Sequence, residues 1–387
     1  MLRYLNAGES HGQALLAVLE GLPAGLSLTA DTINLDLMRR QGGYGRGGRM
    51  RIEKDQIEFT CGVRKGKTLG NPLGMMIRNK DWENWKEIMA VEPGPMPTEK
   101  VVTRPRPGHA DLVGAIKYGH KEDIRNVLEK ASARETAIRV AIGAVAKALL
   151  AQFDMYVYSY TMEIGTVAAS RADDPRKAYE LAEKSQVRCH DPVAGEKMIE
   201  LIRSAKHQGD SLGGVFEVVV TNPPIGLGSY AQWDRRLSAR LAMAAMSIQA
   251  MKGVEIGMGF ESARRFGSEV HDDIYFDEKT KAFVRQTNNA GGMEGGISNG
   301  QPIVVRVGMK PIATLYSPKN SVDIKTKEPF EATVERSDIC TVPAAGVVGE
   351  AVIAFEMANA MVEKFSGDSL DEMKRNYDSY QTYVKSF

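Results

Sequence analysis

The sequence predicts an α+β protein that forms one large mixed domain over residues 1–387. Strand-like segments alternate with helical segments along the whole chain, and three of the helices are apolar around most of their circumference. A chain of this length could form two or three domains. However, no linker-like stretch divides it and it contains no convincing repeat, which favours a single unit.

Seven segments have the alternating or continuous apolar pattern of β-strands. These segments are 2–8, 14–20, 51–59, 73–78, 155–168, 215–221 and 303–309. Six segments have helical periodicity, and Thr29 or Asp31 is predicted to cap the first of them. That first helix ends near Arg40, the core helices cover 132–150, 234–251 and 346–365, and exposed helices cover 173–186 and 192–207.

The composition excludes several classes of protein. Fifty basic and 49 acidic residues leave a net charge of +1, so no overall field attracts nucleic acid or membrane. Three distant cysteines without C-x-x-C or zinc spacing indicate a reducing compartment. The N-terminus lacks a signal-peptide pattern, and no run approaches the roughly 20 apolar residues of a membrane span. These features predict a cytoplasmic protein.

An arginine- and glycine-rich run covers residues 39–51 and holds five arginines, five glycines and no acid. The planar guanidinium of arginine can form paired hydrogen bonds with phosphate or carboxylate oxygens, and glycine lets the backbone approach a ligand closely. The run predicts a phosphate-binding loop, but it fits neither the P-loop nor the dinucleotide fingerprint. The alternative is a flexible basic loop of a non-catalytic RNA-binding protein.

Other segments could join this loop around one acidic, phosphorylated ligand. His11 follows the first strand, and a proline-stiffened stretch over 103–111 presents Arg104, Arg106 and His109. The first core helix begins beside Arg134, and Arg336 lies two positions before Asp338. A satisfied histidine or a proline-rich loop with incidental charges would explain each feature equally well, since spacing alone does not establish convergence.

Seven short motifs occur in order from one end of the chain to the other. They are GESHG at 8–12, GRGGRM at 45–50, RPGHAD at 106–111, SARET at 132–136, GDS at 209–211, KGVEIG at 252–257 and NAGG at 289–292. Each motif is weak alone, but the ordered set closely resembles the chorismate synthase family.

The resemblance implies a β-α-β sandwich, with central helices between antiparallel sheets, that assembles as a homotetramer. It implies a lyase of the shikimate pathway that converts 5-enolpyruvylshikimate-3-phosphate to chorismate and phosphate by 1,4-anti elimination. Reduced FMN is required without net redox change, and the family is also associated with NADP. The compact length favours the type that takes reduced flavin from an external source.

The resemblance also implies roles for individual residues. His11 would donate a proton to the departing phosphate, His109 would protonate the reduced flavin near N1 or stabilise its charge, and Asp338 would act with flavin N5 in removing the C6 proton. Substrate anions would be bound by Arg40, Arg46, Arg49, Arg134 and Arg336. The FMN site would comprise Lys130, Ala131, Ser132, Gln249, Ala250, Gly295, Lys310, Pro311, Ile312, Ala313, Thr314 and Arg336, with no metal ligand.

Two departures from the family pattern fall within this set. Many relatives have Arg-Ser where this chain has Lys130-Ala131, so a bidentate fork and one hydroxyl near the FMN phosphate are lost. Ser337 and Ile339 replace a histidine and a proline beside Asp338, which removes a possible histidine neighbour of that carboxylate.

Overall fold

The computed structural model describes residues 1–47, 54–95, 98–334 and 337–387. Its α-helices are α1 (Ala30–Gln41), α2 (Asp111–Tyr118), α3 (Arg125–Ala131), α4 (Thr136–Ala151), α5 (Pro175–Ala182), α6 (Pro192–His207), α7 (Leu237–Met246), α8 (Gly267–Val270), α9 (Val342–Phe365) and α10 (Leu370–Ser386). Short 3₁₀ turns cover Lys80–Asn84, Ala133–Glu135, Trp233–Arg235 and Gly259–Arg264.

The strands form two larger antiparallel sheets and four hairpins. They are β1 (Arg3–Ala7), β2 (Ala14–Glu20), β3 (Glu58–Cys61), β4 (Val63–Arg64), β5 (Lys67–Thr68), β6 (Leu73–Arg78), β7 (Tyr156–Ile164), β8 (Val167–Ala168), β9 (Gly214–Thr221), β10 (Met251–Ile256), β11 (Ile274–Asp277), β12 (Ala282–Arg285), β13 (Met293–Glu294), β14 (Ile297–Ser298), β15 (Ile303–Met309), β16 (Asn320–Val322) and β17 (Pro329–Glu331). The mixed helix-and-sheet class predicted from the sequence is therefore confirmed.

The first sheet has the order β1-β2-β6-β3 and the second has the order β10-β15-β9-β7-β8. Strand β2 alternates buried and exposed residues, so one face of the first sheet points into the core. Strand β9 is apolar on nearly every residue, and five consecutive positions from Phe216 to Val220 are buried. The two sheets thus present apolar faces that need a covering layer.

Helices α4 and α9 supply that layer. Helix α4 contacts β2 and β6 of the first sheet, α9 contacts β7 and β9 of the second, and the two helices pack on each other. The two helices approach closely at Gly143, where an added Cβ atom would lie 2.3 Å from the Cα of Ala351. The main hydrophobic core runs from Leu2 to Met373 through both sheets and both helices.

Helix α9 corrects one expectation from the sequence. This helix of 24 residues is long and apolar enough, by length and composition alone, to cross a membrane. The prediction that the sequence contains no such segment was therefore wrong. Within the fold, 94% of its most apolar window is buried. A central core helix of this kind meets the same length and composition test as a membrane span.

Several predicted boundaries also differ from the structure. The helix predicted over 132–150 is α-helical only from Thr136, because Ser132 is extended and caps a 3₁₀ turn over Ala133–Glu135, its hydroxyl accepting a hydrogen bond from the Arg134 N–H. The helix predicted over 234–251 ends at Met246, and Ala250 has a left-handed backbone with φ of 70°. The strand predicted over 51–59 is observed only from Glu58, although residues 48–53 lie outside the described part. Helices α2, α3, α8 and α10 were not predicted.

Candidate active site

Two adjoining cavities lie beside the N-terminal end of α4. The larger has a volume of about 530 Å³ and the smaller about 180 Å³. Both are lined by the same six residues at their junction, namely Ser132, Ala133, Gln249, Met309, Asp338 and Thr341. The break between α3 and α4 and the loop between α7 and β10 therefore form the shared wall.

His11 lies on the wall of the larger cavity, in the turn between β1 and β2. Its ring Nδ1 lies 2.9 Å from Oε1 of Glu129, and its backbone N–H donates to Oε2 of the same carboxylate at 2.8 Å. One face of the ring stacks on Trp85, with 3.8 Å between centroids. Because Nδ1 is held by Glu129, Nε2 is the ring nitrogen left for a ligand.

Glu129 is buried, with 1% of its side chain exposed. Burial acts to raise its pKa, but hydrogen bonds and charge from His11, together with the guanidinium of Arg125, outweigh burial and lower the pKa below its usual range. Arg125 Nη1 lies 3.3 Å from Oε1 of Glu129. The carboxylate behind His11 is therefore ionised at neutral pH.

His109 also lies on the wall of the larger cavity, and it too has a buried carboxylate behind it. Its Nδ1 bonds Asp111, the first residue of α2, whose side chain is fully buried. Arg106 holds the other side of that carboxylate, with Nε 2.8 Å from Oδ2. Burial alone would raise the pKa of Asp111, but His109 and Arg106 lower it well below its usual range. Arg106 also donates to Thr314 Oγ1 at 3.0 Å.

Asp338 lies at the junction of the two cavities. Its Oδ1 accepts a hydrogen bond from the backbone N–H of Gly47, and its Oδ2 lies 3.2 Å from Nη1 of Arg46. The side chain remains 21% exposed. The arginine- and glycine-rich loop thus binds Asp338 directly, and Asp338 lines the same cavity as His11 and His109.

The smaller cavity is lined by three of the predicted substrate arginines, Arg40, Arg46 and Arg134. Arg134 is 2% exposed and forms two 2.7 Å bonds to Asp55 and two bonds to Asn79. Arg40 donates to Thr136 Oγ1 at 2.9 Å and to the Ala133 carbonyl at 3.0 Å. Burial lowers the pKa of Arg40 to about 9, opposed by Asp55 and reinforced by Arg134. Arg40 is therefore still a cation at neutral pH.

The described part of the arginine- and glycine-rich loop is anchored to the body of the protein. Arg39 forms ion pairs with Glu350 and Glu183, each at 2.8 Å. Tyr44 N–H donates to the Gln186 carbonyl at 2.7 Å, and the Gly45 carbonyl accepts from Ile339. This anchoring favours the ordered anion site over the flexible basic loop. Two predicted ligands, Arg49 and Arg336, lie outside the described residues.

Most residues predicted for the FMN site line the larger cavity. They are Ala131, Ser132, Gln249, Ala250, Lys310, Ile312, Ala313 and Thr314. Lys130 is exposed and lines neither cavity, and Pro311 lines two neighbouring clefts instead. Gly295 is in the turn of the β13–β14 hairpin and lines neither cavity. Arg104, another convergence candidate, stacks over Phe330 at 3.7 Å and is not part of the wall.

The larger cavity fits a flat, anionic ligand such as FMN. Its volume falls within the roughly 300–1,000 Å³ typical of small-molecule sites. Gln249 donates its amide to Glu135 at 3.0 Å, while its buried Oε1 atom has no hydrogen-bond partner among the described residues. A ligand N–H donor would satisfy that acceptor. Lys310 adds positive charge, and burial together with Lys252 lowers the pKa of its ammonium.

Sequence reasoning missed the buried acids that hold this site together. Glu129, Asp111 and Asp55 each bind a predicted functional side chain. One signal was available for Glu129, because it lies four positions after Arg125 on a single helix. No such local pattern marks Asp55, which lies 79 positions from Arg134. Across the described ranges, no group of histidine, cysteine or acidic residues could hold a metal ion.

Comparisons with known proteins agree with this geometry. The family model described as chorismate synthase matches residues 2–362. A chorismate synthase from Geobacter metallireducens is 59% identical, and one from Listeria monocytogenes serotype 4a is 55% identical, each over the full length of both chains. A solved structure titled "Crystal Structure of Chorismate Synthase" has a TM-score of 0.81 and 44% identity, covering 100% of this chain and 99% of that chain. This chain therefore belongs to the chorismate synthase family.

Proposed function

We propose that this protein converts 5-enolpyruvylshikimate-3-phosphate to chorismate and phosphate by a 1,4-anti elimination that depends on reduced FMN. The observation that carries the proposal is the convergence of His11, His109 and Asp338 on one cavity that adjoins a pocket of arginines. Family membership supports the shikimate-pathway step. The positions of the side chains support the individual roles.

The charges around the two cavities suit this substrate, which carries a phosphate and two carboxylates. Two carboxylates, Glu129 and Asp338, line the walls. Six permanent cations line the same walls in the described part of the chain, namely Arg40, Arg46, Arg106, Arg125, Arg134 and Lys310. Arg46 and Arg40 line the smaller cavity and are the proposed substrate contacts. The guanidinium of Arg134 is bound to Asp55, so Arg134 contributes charge and shape to the pocket rather than paired hydrogen bonds to the substrate.

Each titratable group has a distinct role in the proposed elimination. His11 offers Nε2 to the departing phosphate and donates the proton that neutralises it. Asp338 is oriented by the backbone of Gly47 and by Arg46, and it assists removal of the proton from C6. His109 is held by Asp111, and it would protonate the reduced flavin near N1 or stabilise the charge there.

The flavin site proposed within the larger cavity is formed by the backbone at 249–250 and 310–314, with the Ser132 and Thr314 hydroxyls. Gln249 Oε1 would accept a hydrogen bond from the ring system, and Lys310 and Arg106 would balance negative charge. Bound reduced FMN supplies an electron-rich ring that assists cleavage of a C–H bond too weakly acidic for a side-chain base alone.

The proposal extends to the whole protein. We propose that the two sheets and the helices between them form a β-α-β sandwich in one domain, which the continuous core supports. The cytoplasmic location is supported by three free cysteines. A homotetramer is supported by exposed apolar side chains of the β11–β12 hairpin, including Ile274, Phe276 and Phe283. Reduced flavin is proposed to come from an external source.

An anaerobic assay tests the proposed reaction. The protein is mixed with photoreduced FMN and 5-enolpyruvylshikimate-3-phosphate, and phosphate release is followed together with chorismate absorbance. Release is expected with reduced FMN and not with oxidised FMN. His11→Ala should lower kcat by roughly 10²- to 10⁴-fold. The exposed His207→Ala, at the end of α6, is the matched control and should leave kcat unchanged. Folded protein that releases no phosphate with reduced FMN would overturn the proposal.

A further inference from the structure

A further cavity, which we call the α4–α9 cavity, is lined by Arg139 of α4 and Glu356 of α9 and has a volume of about 230 Å³. The turn that connects α7 to β10 forms another part of its wall, through Ser247. None of its lining residues lines either cavity of the candidate active site. The proposed function therefore leaves this cavity unexplained.

Arg139 is a buried cation without a counter-ion. Only 7% of the residue is exposed, and it donates to the Ser247 carbonyl at 3.1 Å and to the Ser247 hydroxyl at 2.6 Å. Within the described ranges, its buried Nε has no hydrogen-bond partner and no ion pair links the guanidinium to a carboxylate. Glu135, one helical turn earlier, instead accepts hydrogen bonds from Asn6 and Gln249.

The hydrogen-bonding capacity of Arg139 is therefore only partly used. A guanidinium has five N–H donors, and the two bonds to Ser247 account for two of them. Burying a charge without an opposite charge beside it is costly. An anion bound in the α4–α9 cavity would offset that cost and would accept hydrogen bonds from the remaining donors.

The rest of the cavity wall is mainly apolar. Ile142, Val352 and Phe355 line it and are each at most 8% exposed. The Phe355 ring packs edge-on against Tyr4, with 4.9 Å between the ring centroids. Met243 lines the same cavity and is 65% exposed, so one side of the cavity reaches the surface. Aromatic edges and a thioether pack well against the ring of a ligand.

Glu356 limits the charge that such a ligand can carry. Its carboxylate accepts from Arg240 Nε at 3.1 Å, and Arg240 also binds Glu363. An acid in the wall repels a second anionic group, so one carboxylate directed at Arg139 is the charge that the cavity accommodates. We propose that the α4–α9 cavity binds a small monocarboxylate whose carboxylate pairs with Arg139 and whose apolar ring packs against Phe355. This site does not depend on the reaction proposed for the catalytic cavities.

Isothermal titration calorimetry of the full chain, without flavin or substrate, tests the proposal. The probes are phenylacetate and phenylacetamide, which has the same ring but no charge. We expect saturable binding of phenylacetate, and binding of phenylacetamide that is at least about tenfold weaker. Arg139→Met should weaken phenylacetate binding at least about tenfold and remove the preference for the charged probe. Wild-type protein that binds phenylacetate no better than phenylacetamide would overturn the proposal.

Two arginine variants serve as controls. Arg176→Met removes an exposed guanidinium on α5, which is paired with Glu180, and should leave the affinity for phenylacetate unchanged. Arg46→Met alters the smaller catalytic cavity and should also leave this affinity unchanged. If phenylacetate binding is lost in Arg46→Met and retained in Arg139→Met, the probe occupies the catalytic cavity and the proposal is wrong.

A variant that fills the cavity keeps the test decisive if Arg139→Met does not fold. Ala244, on α7, lines the α4–α9 cavity and is 9% exposed. Ala244→Leu leaves Arg139 in place but occupies space that the ring of the probe needs, so phenylacetate binding should weaken at least about tenfold. Ala242→Leu, on the same helix and outside the cavity lining, is the matched control and should retain binding. Equal affinities of the two variants would contradict the proposed site.

Discussion

The availability of each arginine for a ligand depends on the acid behind it. Arg134 is saturated by Asp55 and Asn79, and Arg39 is bound by Glu350 and Glu183. Arg46 forms an ion pair with Asp338, and Arg40 donates hydrogen bonds to the Thr136 hydroxyl and the Ala133 carbonyl. Arginines that look alike in one run of sequence therefore divide into structural and ligand-facing groups. Arg39 is structural, and its guanidinium is largely withdrawn from solvent.

Removing Asp55 tests the structural role of Arg134. Asp55→Ala leaves a guanidinium that is 2% exposed without its main counter-ion, so we expect the free energy of unfolding to fall by roughly 3–5 kcal/mol. Glu20→Ala, which breaks the exposed pair with Arg3, is the control and should cost no more than about 1 kcal/mol. Urea unfolding at neutral pH measures both. Equal losses in the two variants would contradict the assignment.

The lowered pKa of Asp111 predicts that the free energy of unfolding depends on pH in the acidic range. Its pKa is lowered in the folded protein by His109 and Arg106 against the opposing effect of burial. A carboxyl group with a depressed folded pKa stabilises the fold fully above its unfolded pKa of about 3.9, and this contribution is lost as the pH falls further. Asp111→Asn should therefore flatten the loss of stability below about pH 4. Urea unfolding of wild type and variant from pH 7 to pH 3 measures the difference, and parallel curves would refute it.

At the scale of secondary-structure elements, the local pattern of apolar residues predicted the middle of each helix or strand better than its ends. Strands β2, β6 and β15 have the predicted bounds, because alternating or continuous apolar residues are a local signal. Helix ends were less accurate, because Ser132 caps one helix and Ala250 adopts a left-handed conformation that its residue type does not reveal. Both departures lie on the cavity wall. The irregular backbone that forms the site is thus the part least visible in the sequence.

The contact between α4 and α9 predicts a steric limit at Gly143. A methyl group there would lie 2.3 Å from Ala351 backbone, so Gly143→Ala should destabilise the protein by about 1–3 kcal/mol despite its better helix propensity. Gly195→Ala in α6 is the matched control, since its nearest neighbours are 3.7 Å away. That variant should be neutral or more stable by up to about 1 kcal/mol. Thermal unfolding compares them, and a stabilised Gly143→Ala would show that the helices are less closely packed.

At the scale of the whole molecule, the central helices connect the two sheets. Helix α4 packs on one sheet, α9 packs on the other, and the two helices pack on each other. Unfolding of either sheet would therefore expose the apolar face of the other. We therefore expect one cooperative transition. Far-UV circular dichroism and tryptophan fluorescence should give coincident urea curves, in wild type and in Gly143→Ala. Two separated transitions would indicate two independent units.

The sequence by itself determined the α+β class, the core segments and the ordered motifs of the family, because apolar periodicity and short motifs are properties of neighbouring residues. Only the tertiary structure decided which acid serves which cation. His11 and Glu129 are 118 positions apart, and Arg134 and Asp55 are 79 apart. Such pairs form because folding buries both charges in one place, where an unpaired ion would be costly, and no local pattern records that requirement.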